Sequence, residues 1–142
     1  MSDVTVTSLT NLQNEVRYGD GQTLRTDEPV SAGGDGKGPD PYALLMAALG
    51  SCISMTVTLY ARRKAWPLDR VTVKLSQRRV HARDCAECGD DSEGYVHRIE
   101  RSVQLEGALT DEQRTRLMEI AGKCPVHRTL TSEIIVVDKT EE

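Results

Sequence analysis

The chain has 142 residues, 38% of them hydrophobic and 28% charged, and a formal net charge of −4. That is enough for one soluble globular domain with a sizeable core, spanning residues 1–142, and the charge lacks the basic footprint of a nucleic-acid partner. With no Phe and a single Trp, Trp66, the core must be built from Val, Leu, Ile, Met and Ala. The opening "MSDVTVTSLT" has neither a basic n-region nor an apolar h-region. The expectation is therefore a cytoplasmic protein without a secretory signal, in which four cysteines serve as catalytic, metal-binding or inert thiols rather than as staples.

The first thirty residues read as β structure. "VTVTSL" alternates with period two, and "GDG" (Gly19–Gly21) separates two strand-like runs as in a hairpin. "SAGGDGKGPD" (Ser31–Asp40) reads as a mobile loop that ends at a helix start, with Asp40 as N-cap and Pro41 at the first helical position. From Tyr42 to Ala61 there are twenty residues without a charge. Their length would suffice for a membrane span. The two Ser, two Thr, Gly, Cys and four Ala weaken the hydrophobicity, and the preferred reading is a soluble helix buried on all sides. At ~1.5 Å per residue such a helix is ~35 Å long, more than a chain of this size covers alone, which predicts a two-fold dimer.

Arg62, Arg63 and Lys64 complement the C-terminal end of the helix dipole, and "WPLDR" turns the chain. "VTVKLSQRRVHA" is expected as a strand with Val71, Val73 and Leu75 on its buried face, and "YVHRIERSVQLEG" as its partner with Ile99, Val103 and Leu105 inward. Thr110–Gln113 is a capping box. It opens a helix whose apolar face is Leu117, Ile120, Ala121 and Cys124. Pro125 breaks that helix and starts a new turn, so Cys124 falls near an N-cap, where free N–H groups and the helix dipole favour a thiolate. "EIIVVD" (Glu133–Asp138) is expected as a short buried strand.

Cys52 lies mid-way along the uncharged helix, preceded by the small residues Gly50 and Ser51. Taken singly, Cys52 and Cys124 each read more readily as a small core hydrophobe than as a reactive thiol. The acidic loop after the first long strand holds the other two cysteines. His81, Cys85, Cys88 and His97 form a two-Cys, two-His set that zinc could use, but the lone His97 on a strand departs from zinc-site spacing, so the preferred reading is a solvated loop with spare thiols, with zinc next and a redox CxxC last. His127 follows the Cys-Pro and is a candidate for tuning or relaying protons near Cys124.

Over about Glu15–Val137 the chain resembles a divergent subgroup of the OsmC/Ohr family of thiol-dependent hydroperoxide reductases. The resemblance rests on the glycine-rich loop, on "GPDPYALLMAALGSC" with Pro41 and Cys52 at the family's interval, and on "CPVHRTL" at the second cysteine. It implies a two-layer α+β fold with N-terminal strands, a long buried central helix, a mixed sheet and an intertwined homodimer in which the two cysteines meet at the subunit interface. It also implies an activity, with no bound cofactor and no membrane partner. Cys52 as thiolate attacks an organic hydroperoxide, the sulfenic acid condenses with Cys124, and an external dithiol restores both thiols. Active members carry a Glu ten residues before the first cysteine, paired with an Arg from the N-terminal strands. Here Tyr42 takes the place of the Glu, and Arg17 and Arg25 are the candidates for the thiolate-stabilising Arg.

Overall fold

The computed structural model describes residues 3–85 and 94–140. The chain divides into two compact units at Ala47–Ala48.

The first unit is a three-stranded antiparallel meander of β1 (Val4–Ser8), β2 (Asn14–Tyr18) and β3 (Gln22–Thr26). The β2–β3 hairpin turns at Gly19 and Gly21, both with positive φ, as the "GDG" motif predicts. The glycine-rich loop that follows is anchored rather than mobile. The buried Asp27 carboxylate accepts hydrogen bonds from the backbone N–H groups of Glu28, Asp35 and Lys37 at 2.8–3.1 Å. Gly34 sits so close to the Glu28 carbonyl that no side chain fits there.

A long helix, α1 (Pro41–Lys64), spans the division between the units. It starts as the sequence predicts, with the Asp40 side chain accepting from the Ala43 N–H at 2.7 Å. Its other end closes with a Schellman arrangement: Trp66 N–H donates to the Ala61 carbonyl and Ala65 N–H to that of Arg62, around a left-handed Ala65 at φ 57°. By length and composition α1 would pass as a membrane span. Instead of being buried on all sides, it buries one stripe within this chain, Leu49, Gly50, Ile53, Val57 and Ala61. Met55 and Leu59 on the opposite side are 64% and 54% exposed.

The second unit packs that stripe against an antiparallel hairpin of two twelve-residue strands, β4 (Arg70–His81) and β5 (Tyr95–Glu106). The expected inward residues Val71, Val73, Leu75, Ile99, Val103 and Leu105 do form the core layer with α1. Gly50 permits the close approach: a Cβ there would lie 2.9 Å from the Leu75 side chain. Among the described residues every strand pairing is antiparallel, in two separate sheets rather than one mixed sheet.

The helix α2 (Asp111–Ala121) begins with the predicted capping box and buries Leu117, Ile120 and Ala121. Two arginines fix its position. Arg114 donates to the Leu105 and Gly107 carbonyls at 2.6 and 2.9 Å, and Arg116 donates to the Tyr60 hydroxyl on α1 at 3.0 Å. The helix ends at Ala121, three residues before the expected Cys124, and Cys124 becomes the N-cap of a short helix, α3 (Pro125–Leu130). The expected strand at Glu133–Asp138 is absent. That segment is irregular, and Ile135 and Val136 are 77% and 86% exposed. Its apolar side chains find no cover within the described residues, so the β propensity of the sequence has nothing to pair with.

Candidate active site

The site grows from two local features. On α1, Leu49, Ile53 and Val57 repeat every fourth residue on the buried stripe, and Cys52 stands at its edge, half-buried, with its sulfur 4.0 Å from the Thr56 hydroxyl. Between α2 and α3, Gly122 and Lys123 turn the chain and Pro125 sets the first residue of the new helix. This turns Cys124 into the core, fully buried beside Leu117 and Ala121.

The start of α3 supplies a donor to each sulfur. Val126 N–H donates to Cys52 Sγ at 3.5 Å and His127 N–H donates to Cys124 Sγ at 3.3 Å. Consecutive N–H groups at the start of α3 thus hold the two sulfurs at one helix end, and both cysteines are free thiols. Burial raises the Cys124 thiol pKa above its ordinary value. The His127 N–H opposes the rise, the Cys52 sulfur adds to it, and the Arg101 guanidinium opposes it. The helix start therefore does not lower the Cys124 pKa, as the sequence alone suggested it would. Withdrawal from water outweighs one N–H donor at a six-residue helix.

Arg101 was not among the residues singled out from the sequence. It projects from the inward face of β5, opposite Leu75, and its Nη1 donates to the Ala121 carbonyl at 3.0 Å. The signal was present in "IERSVQL", whose period-two pattern turns Arg101 inward with Ile99 and Val103. Arg101 lines a cavity of about 250 Å³ together with the side chains of His97 and His127 and the apolar Leu49, Ile99 and Leu130.

The other named residues stand as follows. Arg17 on β2 ion-pairs with Glu15 at 3.3 Å, and Arg25 on β3 donates to Gln13 Oε1 at 3.0 Å, both within the first unit. Tyr42 lies in the first turn of α1 and is more than half exposed. Of the four prospective zinc ligands, Cys88 lies outside the described residues, and Cys85 is held in a disulfide rather than as the thiolate that zinc requires. Cys85 thereby departs from the expectation of free thiols. His81 Nδ1 accepts from the Arg83 N–H at 3.2 Å, and His97 Nδ1 lies 2.9 Å from the Gln77 amide. No cluster of three or more metal-ligating side chains occurs among the described residues.

A family model described as OsmC-like protein matches residues 34–138. No curated protein matches the chain. Among solved structures, the chain is similar to an OsmC-like protein from Mycoplasma pneumoniae, with 20% identity over 92% of this chain and 86% of that one and a TM-score of 0.71. It is similar to an organic hydroperoxide resistance protein OsmC from Legionella pneumophila, with 18% identity over 92% and 89% and a TM-score of 0.65. It is also similar to the organic hydroperoxide resistance protein OhrB of Bacillus subtilis, with 16% identity over 92% and 90% and a TM-score of 0.61. With the family model matched over most of its length and the fold shared with these structures, the chain belongs to the OsmC-like protein family.

Proposed function

We propose that the protein is a thiol peroxidase that reduces organic hydroperoxides through Cys52 and Cys124. The observation that carries this reading is the meeting of two free sulfurs from distant parts of the chain, each with a backbone N–H donor. Relatives of the same fold named for organic hydroperoxide resistance support the substrate class.

The roles follow from exposure. Cys52 is half-buried and Cys124 fully buried, so an incoming hydroperoxide meets Cys52 first. The Cys52 thiolate attacks the distal peroxide oxygen, the O–O bond breaks, and the alkoxide leaves and is protonated to an alcohol. Cys52 is then a sulfenic acid. Cys124, once deprotonated, attacks the Cys52 sulfur. The S–S bond forms as hydroxide leaves and takes up a proton to become water. A dithiol reductant then exchanges with the disulfide and returns both thiols. Burial holds Cys124 as a neutral thiol, which protects it from direct attack by peroxide until Cys52 is oxidised.

Arg17 and Arg25 remain the proposed cations for the Cys52 thiolate, with Tyr42 and His127 as accessory groups. The assembly we propose is a cytoplasmic homodimer, supported by the exposed side of α1. One equivalent of cumene hydroperoxide added to reduced protein, followed by mass spectrometric mapping, is expected to yield a Cys52–Cys124 bond. Unmodified thiols would leave a non-catalytic domain of the same fold as the reading, which Tyr42 at the glutamate position favours.

A further inference from the structure

The inward face of the β4–β5 hairpin changes character along its length. Val71, Val73, Leu75, Val103 and Leu105 are apolar and pack under the helices, whereas Arg101 and His97, on the same face of β5, are basic. Arg101 is half-buried, an expensive place for a cation unless it meets an anion or is well hydrogen-bonded. It has one protein partner, the Ala121 carbonyl, and no carboxylate partner among the described residues. The carboxylates of Glu15, Glu100, Glu106 and Glu119 pair with other arginines. The donors of the guanidinium not used by Ala121 are left for a ligand.

The cavity that Arg101 lines carries two further bases, His97 and His127, and no acidic side chain. Its remaining wall comes from the apolar Leu49, Ile99 and Leu130 and from Thr131. Neither cysteine lines it, but two of its lining residues neighbour them: Leu49 stands one turn before Cys52 on α1, and the His127 N–H donates to Cys124. A volume of about 250 Å³ equals roughly eight waters, room for a compact organic molecule of about a dozen non-hydrogen atoms.

We propose that this cavity binds a compact organic acid, its carboxylate on Arg101 between His97 and His127 and its apolar body against Leu49, Ile99 and Leu130. A guanidinium matches a carboxylate with two parallel N–H donors, which makes Arg101 the selecting residue. Combined with the peroxidase reading, on which this step rests, the preferred hydroperoxide carries an acidic group on a small apolar frame. The binding itself requires no redox chemistry.

The test uses a matched pair, cumene hydroperoxide and the same molecule with a para-carboxylate, and the unreactive 4-isopropylbenzoate as a binding probe. The parent protein is expected to show a kcat/KM at least about tenfold higher for the acid. It should bind 4-isopropylbenzoate measurably by calorimetry, with neutral cumene failing to displace it. Arg101→Gln is expected to weaken the probe at least tenfold and to bring the two hydroperoxides close to parity. Arg101→Lys should weaken the probe less, and His127→Gln serves if neither arginine variant folds. Equal turnover of the two hydroperoxides, with probe binding absent or indifferent to these variants, overturns the anion cavity and leaves the peroxidase reading intact. Arg101-dependent probe binding in a protein that turns over neither hydroperoxide keeps the cavity and removes the peroxidase.

Discussion

Oxidation of Cys52 and Cys124 should make the protein measurably more heat-stable, and the size of the gain reports how well the two sulfurs are placed. The cysteines are about 70 residues apart, so a bond between them closes a long loop in the unfolded chain. On the chain-entropy account a loop of that length removes about 4 kcal/mol of denatured-state freedom. Strain in the folded state subtracts from this, because a relaxed bridge needs Cα atoms about 4.4–6.8 Å apart and a well-defined torsion. Since consecutive N–H groups of α3 already hold both sulfurs, a net gain of about 2–4 kcal/mol is expected. For a chain of this size each kcal/mol shifts Tm by about 2–4 °C, which gives a rise of roughly 5–15 °C. The assay is calorimetry of reduced protein against protein oxidised by one equivalent of hydroperoxide, at one fixed protein concentration. Cys124→Ser carried through the same treatment supplies the baseline and cancels any contribution from Cys85. A mapped Cys52–Cys124 bond accompanied by an unchanged or lowered Tm would show that the bridge distorts the fold and would refute the geometry argued above.

Three further outcomes are expected. Cys52→Ser should abolish hydroperoxide turnover, while Cys124→Ser should permit one oxidation and then stop at the sulfenic acid or proceed to sulfinic acid; intact mass distinguishes these, and sustained turnover by either variant would contradict the assigned roles. Because burial raises the Cys124 pKa in the folded state, the unfolded chain gives up that proton first as pH climbs through the ordinary thiol range. The reduced parent should accordingly lose stability toward alkaline pH more steeply than Cys124→Ser, as read from urea midpoints, and parallel curves would count against the buried neutral thiol. Ala65→Gly should stabilise by about 0.5–1 kcal/mol, since a glycine carries no Cβ penalty at the left-handed end of α1, and a fall in Tm would show that Ala65 is held there by packing instead.

Most of the fold was legible because its local signals agree with its tertiary contacts. The capping box at Thr110, the Asp40–Pro41 start of α1 and the period-two strands each state a structure that the neighbouring element then buries. The two reactive-looking cysteines were found by their settings, a small-residue stretch and a helix break. Their mutual distance was not legible without the family resemblance, because nothing local couples residues so far apart in the chain. Arg101 was overlooked because a charge inside an amphipathic strand looks like an interruption of the pattern, whereas in the structure it lines a cavity beside the start of α3. The direction of the Cys124 pKa shift was misjudged for a related reason: the helix-start argument counts donors, and burial, which dominates at Cys124, is a property of the packed core.

Two remaining differences between sequence and structure share one physical origin. The sequence calls for α1 to be buried all round and for Glu133–Asp138 to be a buried strand. In the single chain, the outer side of α1 and the side chains of Ile134–Val137 are exposed. Neither segment is polar enough to face water by design, and at about 25 cal/mol per Å² the uncovered apolar surface is a substantial unrealised gain. Hydrophobic periodicity records what a residue is buried against in the final assembly, not which chain supplies the cover. A helix too apolar for its own chain and an uncovered apolar segment in the same molecule are therefore what a chain selected to fold against a second copy would carry. The proposed homodimer accounts for both with one assumption. Static light scattering showing a stable monomer at micromolar concentration would remove that account, and would leave the apolar side of α1 in need of another partner.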